Sequence, residues 1–105
     1  MQRILNIVPI LVMSCLQGCN PTSTAFDNET GVDIHIYVTA RSKNNDAFGL
    51  LTAGIRLVLH DRIEDIEIVK YSYSDHRCIL THDQLRAAAV RAKYGAVYIV
   101  KLRPC

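Results

Sequence analysis

The sequence predicts a small α+β domain in which one helix near the C-terminus lies on one face of a mainly antiparallel sheet. Three observations predict this class: segments with strand periodicity fill the middle of the chain, one helical segment follows them, and an apolar strand ends the chain. A small β-sandwich with a helical crossover is the alternative that the same order of elements allows.

The clearest predicted strand runs from Val32 to Ala40. Its apolar residues alternate strictly with polar ones, which is typical of a strand with one buried face and one face in water. His35 and Tyr37 belong to the water-facing set. They are therefore free to contact a partner without filling the core.

Further strands are predicted along the rest of the chain. Residues 48–50 begin a return strand after a polar turn, and residues 55–60 alternate again. Residues 63–73 switch their apolar face partway, which indicates a bulge or a strand covered on both sides. A polar loop is expected over 74–77. Residues 96–102 are apolar on both faces, so we expect this strand to lie centrally in a sheet.

The predicted helix begins after Thr81, an N-cap residue with Gln84 three positions later, and ends before Gly95. One helical face carries the apolar residues Leu85, Ala88, Ala89 and Ala92. We expect Tyr71 and Tyr73 to pack under this helix.

The N-terminus has the layout of a signal peptide. One positive charge, Arg3, precedes an apolar run from Ile4 to Leu16. This run is shorter than the roughly 20 apolar residues that cross a bilayer as a helix, and Pro9 lies in its middle. A permanent transmembrane helix is therefore the poorer interpretation.

The apolar run closes at Leu16-Gln17-Gly18-Cys19, which resembles the lipobox of bacterial lipoprotein precursors. Gln17 departs from the small residue that is usual at its position in this family. The resemblance implies cleavage before Cys19 and attachment to a membrane through lipid on this cysteine. Asn20 comes next, which in the family implies the outer membrane, facing the periplasm, in a Gram-negative cell. An ordinary secretory signal, with Cys19 left as a disulfide partner, is the alternative.

The lipobox resemblance divides the chain into three parts. Residues 1–18 are the predicted signal peptide, residues 19–25 a short polar tether, and residues 26–105 one small globular domain. A domain of this size has a core that is only marginally sufficient, so covalent bracing is expected to matter.

Cysteine usage predicts where that bracing lies. The chain has four cysteines, and the lipobox resemblance implies that Cys15 leaves with the signal peptide and that Cys19 carries lipid. The remaining pair, Cys78 and Cys105, is predicted to form a disulfide in an oxidising compartment. Closing this loop stabilises the fold by roughly 3.6 kcal/mol on the chain-entropy model.

Composition and motifs exclude several classes of function. Twelve Lys and Arg and ten Asp and Glu are scattered along the chain, so no basic stripe predicts a nucleic-acid partner. The sequence contains no Gly-x-Ser-x-Gly elbow and no Gly-rich helix start for a phosphate. We therefore predict no cofactor and no enzymatic activity.

Two constellations nevertheless suggest chemistry. A zinc site could use His76, Cys78, His82 and Cys105, although their spacing is not a usual one for paired ligands. An envelope hydrolase or metal-binding protein using His60, His76 and His82, with Ser72 or Ser74 as nucleophile in the hydrolase, is the alternative function.

The favoured function is non-enzymatic binding of a protein partner in the cell envelope, as an assembly factor or a similar lipoprotein. His35 and Tyr37 are the candidate contact residues, because exposed aromatic residues are enriched in binding patches. The polar side of the helix at Arg86 and Lys93 is the alternative contact surface.

Overall fold

The computed structural model describes residues 21–41, 46–93 and 95–105. These residues form eight strands, one short α-helix and one turn of 3₁₀ helix. The strands are β1 (Ser23–Asn28), β2 (Ile34–Ala40), β3 (Ala47–Leu51), β4 (Arg56–Leu59), β5 (Ile66–Tyr73), β6 (His76–Thr81), β7 (Val90–Arg91) and β8 (Val97–Leu102). The 3₁₀ turn is Ile63–Asp65, and the helix α1 is His82–Ala88.

The strands are divided between two four-stranded sheets. The first sheet has the order β4-β1-β8-β7, and the second has the order β3-β2-β5-β6. Strands β1 and β8 are parallel, and the other described pairs are antiparallel. The predicted α+β class is confirmed, with its strands in two sheets instead of one. Helix α1 leads from β6 of the second sheet to β7 of the first, so the connection is the helical crossover of the alternative prediction.

Both sheets contribute to one hydrophobic core. The first sheet supplies Phe26, Val100 and Leu102, the second supplies Ile34, Ile36, Val38, Leu51, Ile66, Val69, Tyr71 and Cys78, and Leu85 comes from α1. Because the inner faces of the two sheets meet in this cluster, their outer faces point away from each other. Each sheet therefore offers one separate surface to solvent.

Strand β2 has the alternation that the sequence predicts. Its even-numbered residues are buried, whereas His35 and Tyr37 are exposed. The strand begins at Ile34, two residues later than predicted, because the side chains of Asn28 and Thr30 hold a turn before it. The Asn28 amide donates to the carbonyl oxygens of Val32 at 2.7 Å and Leu51 at 2.9 Å.

The apolar switch within residues 63–73 is a bulge, as one of the two interpretations predicted. Thr39 of β2 pairs with Ile68, but its neighbour Ala40 pairs with Ile66, so that Glu67 is an extra residue in β5. The bulge lets Ile66 and Val69 both face the core. The first three residues of the predicted strand form the 3₁₀ turn instead.

The predicted tether is wrong for residues 23–25, which begin β1. This strand lies between β4 and β8 in the first sheet, and Thr24 is fully buried. The Thr24 hydroxyl donates to the carbonyl oxygen of Asp61 at 2.8 Å, so its polarity is satisfied inside the fold. The short polar side chains of Ser23 and Thr24 therefore resemble those of a linker, although both residues belong to a central strand.

Helix α1 begins as predicted but ends early. Thr81 is the N-cap and forms a capping box with Gln84. The helix stops at Ala88, because Val90 and Arg91 pair with β8 as the edge strand β7. The helix predicted to continue towards Gly95 is therefore wrong, since strand pairing overrides the high helix propensity of the alanines. The predicted loop over 74–77 is also shorter, because residues 76 and 77 belong to β6.

The C-terminal segment ties the two sheets together. Strand β8 lies centrally in the first sheet, as predicted, and the chain then crosses to the second sheet. There Cys105 forms the predicted disulfide with Cys78 of β6, with Cα atoms 5.9 Å apart. The Tyr71 hydroxyl donates to the carbonyl oxygen of Arg103 at 2.6 Å, which holds the same segment by a second contact.

Candidate functional site

The outer face of the second sheet collects large exposed apolar side chains. The exposed fractions are 80% for Phe48, 62% for Leu50, 53% for Ile79 and 42% for Tyr37. We call this surface the aromatic face and define it by eight outward residues: His35, Tyr37, Phe48, Leu50, Lys70, Ser72, Arg77 and Ile79. Single exposed apolar residues are ordinary, but a contiguous group of them on one face is not.

Strand register arranges the aromatic face in two rows. One row crosses the strands in the order Leu50, His35, Ser72, Arg77, and the other in the order Phe48, Tyr37, Lys70, Ile79. Alternate side chains of each strand point outward, so both rows lie on the same side of the sheet. With about 4.8 Å between strands, each row is about 14 Å long.

The aromatic side of the face is held in place by local contacts. The rings of Tyr37 and Phe48 stack with centroids 6.3 Å apart and an interplanar angle of 22°. The Tyr37 hydroxyl donates to Oδ2 of Asp46 at 3.1 Å, and Oδ1 of the same carboxylate accepts from the backbone N–H of Ala40 at 3.1 Å. The hydrogen bond to Asp46 raises the pKa of Tyr37, so the phenol stays a neutral donor.

The aromatic face also carries basic residues. Lys70 on the inner strand β5 and Arg77 on the edge strand β6 are diagonal neighbours, and His35 on β2 is a diagonal neighbour of Lys70. Within the described residues, no ion pair or hydrogen bond engages the side chains of these three residues. The eight outward residues include no carboxylate, and Asp46 at the rim is occupied by Tyr37.

A shallow hollow of about 590 Å³ lies over these rows. Its lining includes His35, Tyr37, Phe48, Lys70, Arg77 and Ile79. The volume is within the range of ligand-binding clefts. The arrangement offers apolar contact at the two ends of a row and positive charge between them, and it offers no paired acid and base.

The structure places both predicted contact residues on this face. The sequence analysis does not identify Lys70, Arg77 and Ile79 as site residues. Lys70 lies in a predicted strand whose outward face is ambiguous, whereas Arg77 lies in the predicted loop and Ile79 in no predicted element, because strand β6 is not predicted. Phe48 was assigned to a strand but not to a face. The alternation of the hairpin could have shown that Phe48 and Leu50 point outward, since Phe48 lies opposite Tyr37 and Leu50 lies opposite His35.

The two other tyrosines of interest lie inside. Tyr71 is buried in the core, and burial raises the pKa of its phenol. Tyr73 packs partly buried against the core, and its ring contacts that of His76 with centroids 5.1 Å apart. Neither ring belongs to the aromatic face.

The zinc site that the sequence suggests is not assembled in the described part of the chain. His76 begins β6 and His82 follows its end, about 17 Å along the strand. The Nδ1 atom of His82 lies 2.8 Å from the carbonyl oxygen of Ile66. Across the described ranges, no group of three or more His, Cys, Asp or Glu could hold a metal ion. Cys78 and Cys105 form a disulfide, so their sulfurs are not thiolate ligands here.

The alternative contact surface on the helix is also changed. Arg86 lies on α1 beside a hollow of about 150 Å³ that is lined by Ile63, Glu64, Ala89 and Tyr98. Lys93 follows β7 and is not part of the helix. The two residues therefore do not share one helical face, and this part of the prediction is wrong.

Cys19 and the predicted signal peptide lie outside the described residues. Over the ranges that the structure describes, no helix is long and apolar enough to cross a membrane. In comparisons with known proteins, no family model matches the chain, and no curated protein or solved structure matches it either.

Proposed function

We propose that this chain is a small lipid-anchored envelope protein that binds another protein without catalysing a reaction, and that the aromatic face is its contact surface. One observation carries the proposal: four large apolar side chains and three basic ones share one exposed sheet face. Aromatic and Arg residues are enriched at protein interfaces, and contiguous exposed apolar patches mark such interfaces.

The rigidity of the aromatic face supports binding. Its residues lie on four hydrogen-bonded strands whose inner side fills the core, and Tyr37 is fixed by Phe48 and Asp46. A surface that is already ordered loses little conformational entropy when a partner binds. Less of the interaction free energy is then offset by ordering of the surface, and more of it contributes to affinity.

The short distance to Cys19 supports anchoring close to a membrane. Pro21 is buried and therefore belongs to the folded domain. In the sequence, Asn20 alone stands between Pro21 and the lipobox cysteine. Two residue steps span at most about 7 Å. Lipid on Cys19 would hold the domain against the membrane surface, which in this proposal is the outer membrane facing the periplasm.

Metabolic labelling tests the anchor. Labelled fatty acid should enter the wild-type protein and not the Cys19→Ser variant. Cys15→Ser is the matched control, because it removes a cysteine of the same apolar segment and should keep the label. Equal labelling of wild type and Cys19→Ser would end the lipoprotein interpretation.

Site-specific photo-crosslinking tests the aromatic face. A photoreactive residue at Phe48 should give crosslinks to a defined envelope protein in intact cells, and the same residue at Val58 should not. Val58 is the matched control, because it is exposed and apolar but lies on β4 of the first sheet. The same crosslinks from Val58, or none from Phe48, would contradict the proposal.

A further inference from the structure

We infer that the partner of the aromatic face presents an acidic and apolar protein segment, with Asp or Glu side chains beside large apolar ones. The inference rests on the proposed function, since it names the chemistry of the partner at that same surface. It also excludes a second copy of this chain as the occupant.

The unpartnered cations provide the first argument. Among the described residues, Lys70 and Arg77 have no carboxylate partner, whereas basic residues of the first sheet do. The other outward residues of the aromatic face include no acidic side chain. Carboxylates brought by a partner would form charge-assisted hydrogen bonds with these two side chains.

The arrangement of apolar residues provides the second argument. Phe48 and Leu50 lie on the edge strand β3, and Lys70 lies two strands further along the sheet. Two strand spacings are about 10 Å. A matching segment therefore carries its apolar side chains about 10 Å from the carboxylate that meets Lys70 and about 14 Å from the one that meets Arg77, with a further apolar contact available at Ile79.

The same charges exclude face-to-face pairing of two copies. Such a pair would bring Lys70 and Arg77 of one copy against a surface with the same two cations. Asp46, the carboxylate at the rim of this face beside Tyr37, already accepts from Tyr37 and Ala40. Like charges placed opposite each other at an interface are unfavourable and are not compensated here.

Peptide selection tests the inference. Random 16-residue peptides displayed on phage are selected on the purified protein, and the enriched sequences should contain Asp or Glu together with aromatic or aliphatic residues. A selected peptide should bind the Lys70→Glu, Arg77→Glu double variant about tenfold more weakly or worse, and its affinity for wild type should fall with added salt. A version of the peptide with its acidic residues replaced by Lys should regain affinity for the double variant.

Two matched controls separate this inference from the proposed function. Lys101→Glu reverses one charge on the first sheet and should leave the affinity unchanged. Phe48→Ala, Leu50→Ala should abolish binding by removing the apolar contact. The selected peptides could instead lack acidic enrichment, bind the Lys70→Glu, Arg77→Glu variant as well as wild type, and fail to bind the Phe48→Ala, Leu50→Ala variant. That result would overturn the inference and leave the proposed function standing.

The remaining outcomes are also decisive. Peptides that bind both double variants as well as wild type would overturn the inference and the aromatic face together. If no peptide is enriched, the inference is overturned, and the crosslinks from Phe48 alone decide the proposed function. A dimer of the purified protein that Phe48→Ala, Leu50→Ala disrupts would show that a second copy is the occupant.

Discussion

The outer faces of the two sheets differ in whether their basic residues form ion pairs with carboxylates of the chain. On the first sheet, Arg56 binds Asp27 through two hydrogen bonds of 2.5 and 2.9 Å between neighbouring strands. Nearby, Nζ of Lys101 lies 3.9 Å from a carboxylate oxygen of Glu29. On the aromatic face, no carboxylate of the described residues lies within ion-pair distance of Lys70 or Arg77. Basic residues of the first face are paired within the chain, whereas these two cations are not.

The apolar residues of the two faces differ in kind as well. The first sheet exposes Val58 and Val90 at its two edges, with Ala25 and Ile99 between them in the same row. These residues are small or β-branched, and the aromatic face instead presents a tyrosine, a phenylalanine and a leucine. Interface hot spots are enriched in Trp, Tyr and Arg, and the aromatic face carries Tyr37 and Arg77. This difference between the sheets supports the proposal that the second sheet binds the partner.

Loss of the disulfide is expected to have the largest effect, and it should affect both faces. The bond joins the segment after β8 of the first sheet to β6 of the second. The Cys78→Ser, Cys105→Ser variant should therefore lose about 2 to 5 kcal/mol of unfolding free energy in chemical denaturation. Wild type under reducing conditions should lose a similar amount, and the variant should not respond to reductant. A variant as stable as wild type would contradict the role of the bond.

A matched pair of tyrosine variants compares the inside of the second sheet with its outside. Tyr71→Phe removes the 2.6 Å hydrogen bond to Arg103 and should cost about 0.5 to 1.5 kcal/mol of unfolding free energy. Tyr37→Phe removes an exposed hydrogen bond to Asp46 and should cost less than about 0.5 kcal/mol. Thermal and chemical denaturation of both variants measure the difference. Equal losses would mean that the aromatic face is structural.

The same pair predicts an alkaline pH dependence. Burial raises the pKa of Tyr71, so its contribution to stability is fully present below the unfolded value of about 10 and is lost as the pH rises through the folded value. Tyr71→Phe should therefore lose less stability than wild type above about pH 10.

The ion pair of the first sheet predicts a smaller acid effect. The hydrogen bond from Arg56 lowers the pKa of Asp27, so the stability from this pair is present above the unfolded value of about 3.9 and is lost as the pH falls through the folded value. Between about pH 5 and pH 2, wild type should lose about 0.5 to 1 kcal/mol more than Asp27→Asn does. Added salt should shrink this difference. Identical acid profiles would mean that the pair contributes nothing to stability.

Local signals in the sequence predicted local structure well. The alternation through residues 32–40 identified β2 and its water-facing residues, and the spacing of Thr81 and Gln84 identified the start of α1. The cysteine pattern identified the disulfide. Each of these signals depends on neighbours along the chain or on a simple count, so no knowledge of the tertiary fold was needed.

Long-range pairing was not predictable in the same way. The parallel pairing of β1 with β8 joins the two ends of the domain, and no local pattern in Ser23 or Thr24 indicates it. The division into two sheets depends on this pairing. Lys70 could not be placed on the aromatic face, because its side depends on the register of β5 against β2. Arg77 could not be placed there either, because the predicted loop over 74–77 hides strand β6 and its pairing with β5.

The smallest effect on stability is expected for the variant that should have a large effect on binding. His35→Ala, Tyr37→Ala truncates two outward side chains of β2 while every inward residue of the strand stays in place. Surface substitutions of this kind shift the unfolding free energy by less than about 0.5 kcal/mol, whereas removal of an interface hot spot costs about 2 kcal/mol or more of binding free energy. The variant should therefore fold and melt like wild type.

Binding and folding should thus separate on the second sheet and not on the first. The His35→Ala, Tyr37→Ala variant should lose the partner that is crosslinked from the face, and Val58→Ala, Val90→Ala, the matched pair on the first sheet, should keep it. Thermal melting, localisation and crosslinking of both variants provide the measurements. If the first variant unfolds, its two residues belong to the core, and the inward and outward sides of β2 are exchanged by a shift of one residue. If the first variant folds normally and still crosslinks to the partner, the binding surface does not include the outward side of β2. In that case neither His35 nor Tyr37 is a binding hot spot.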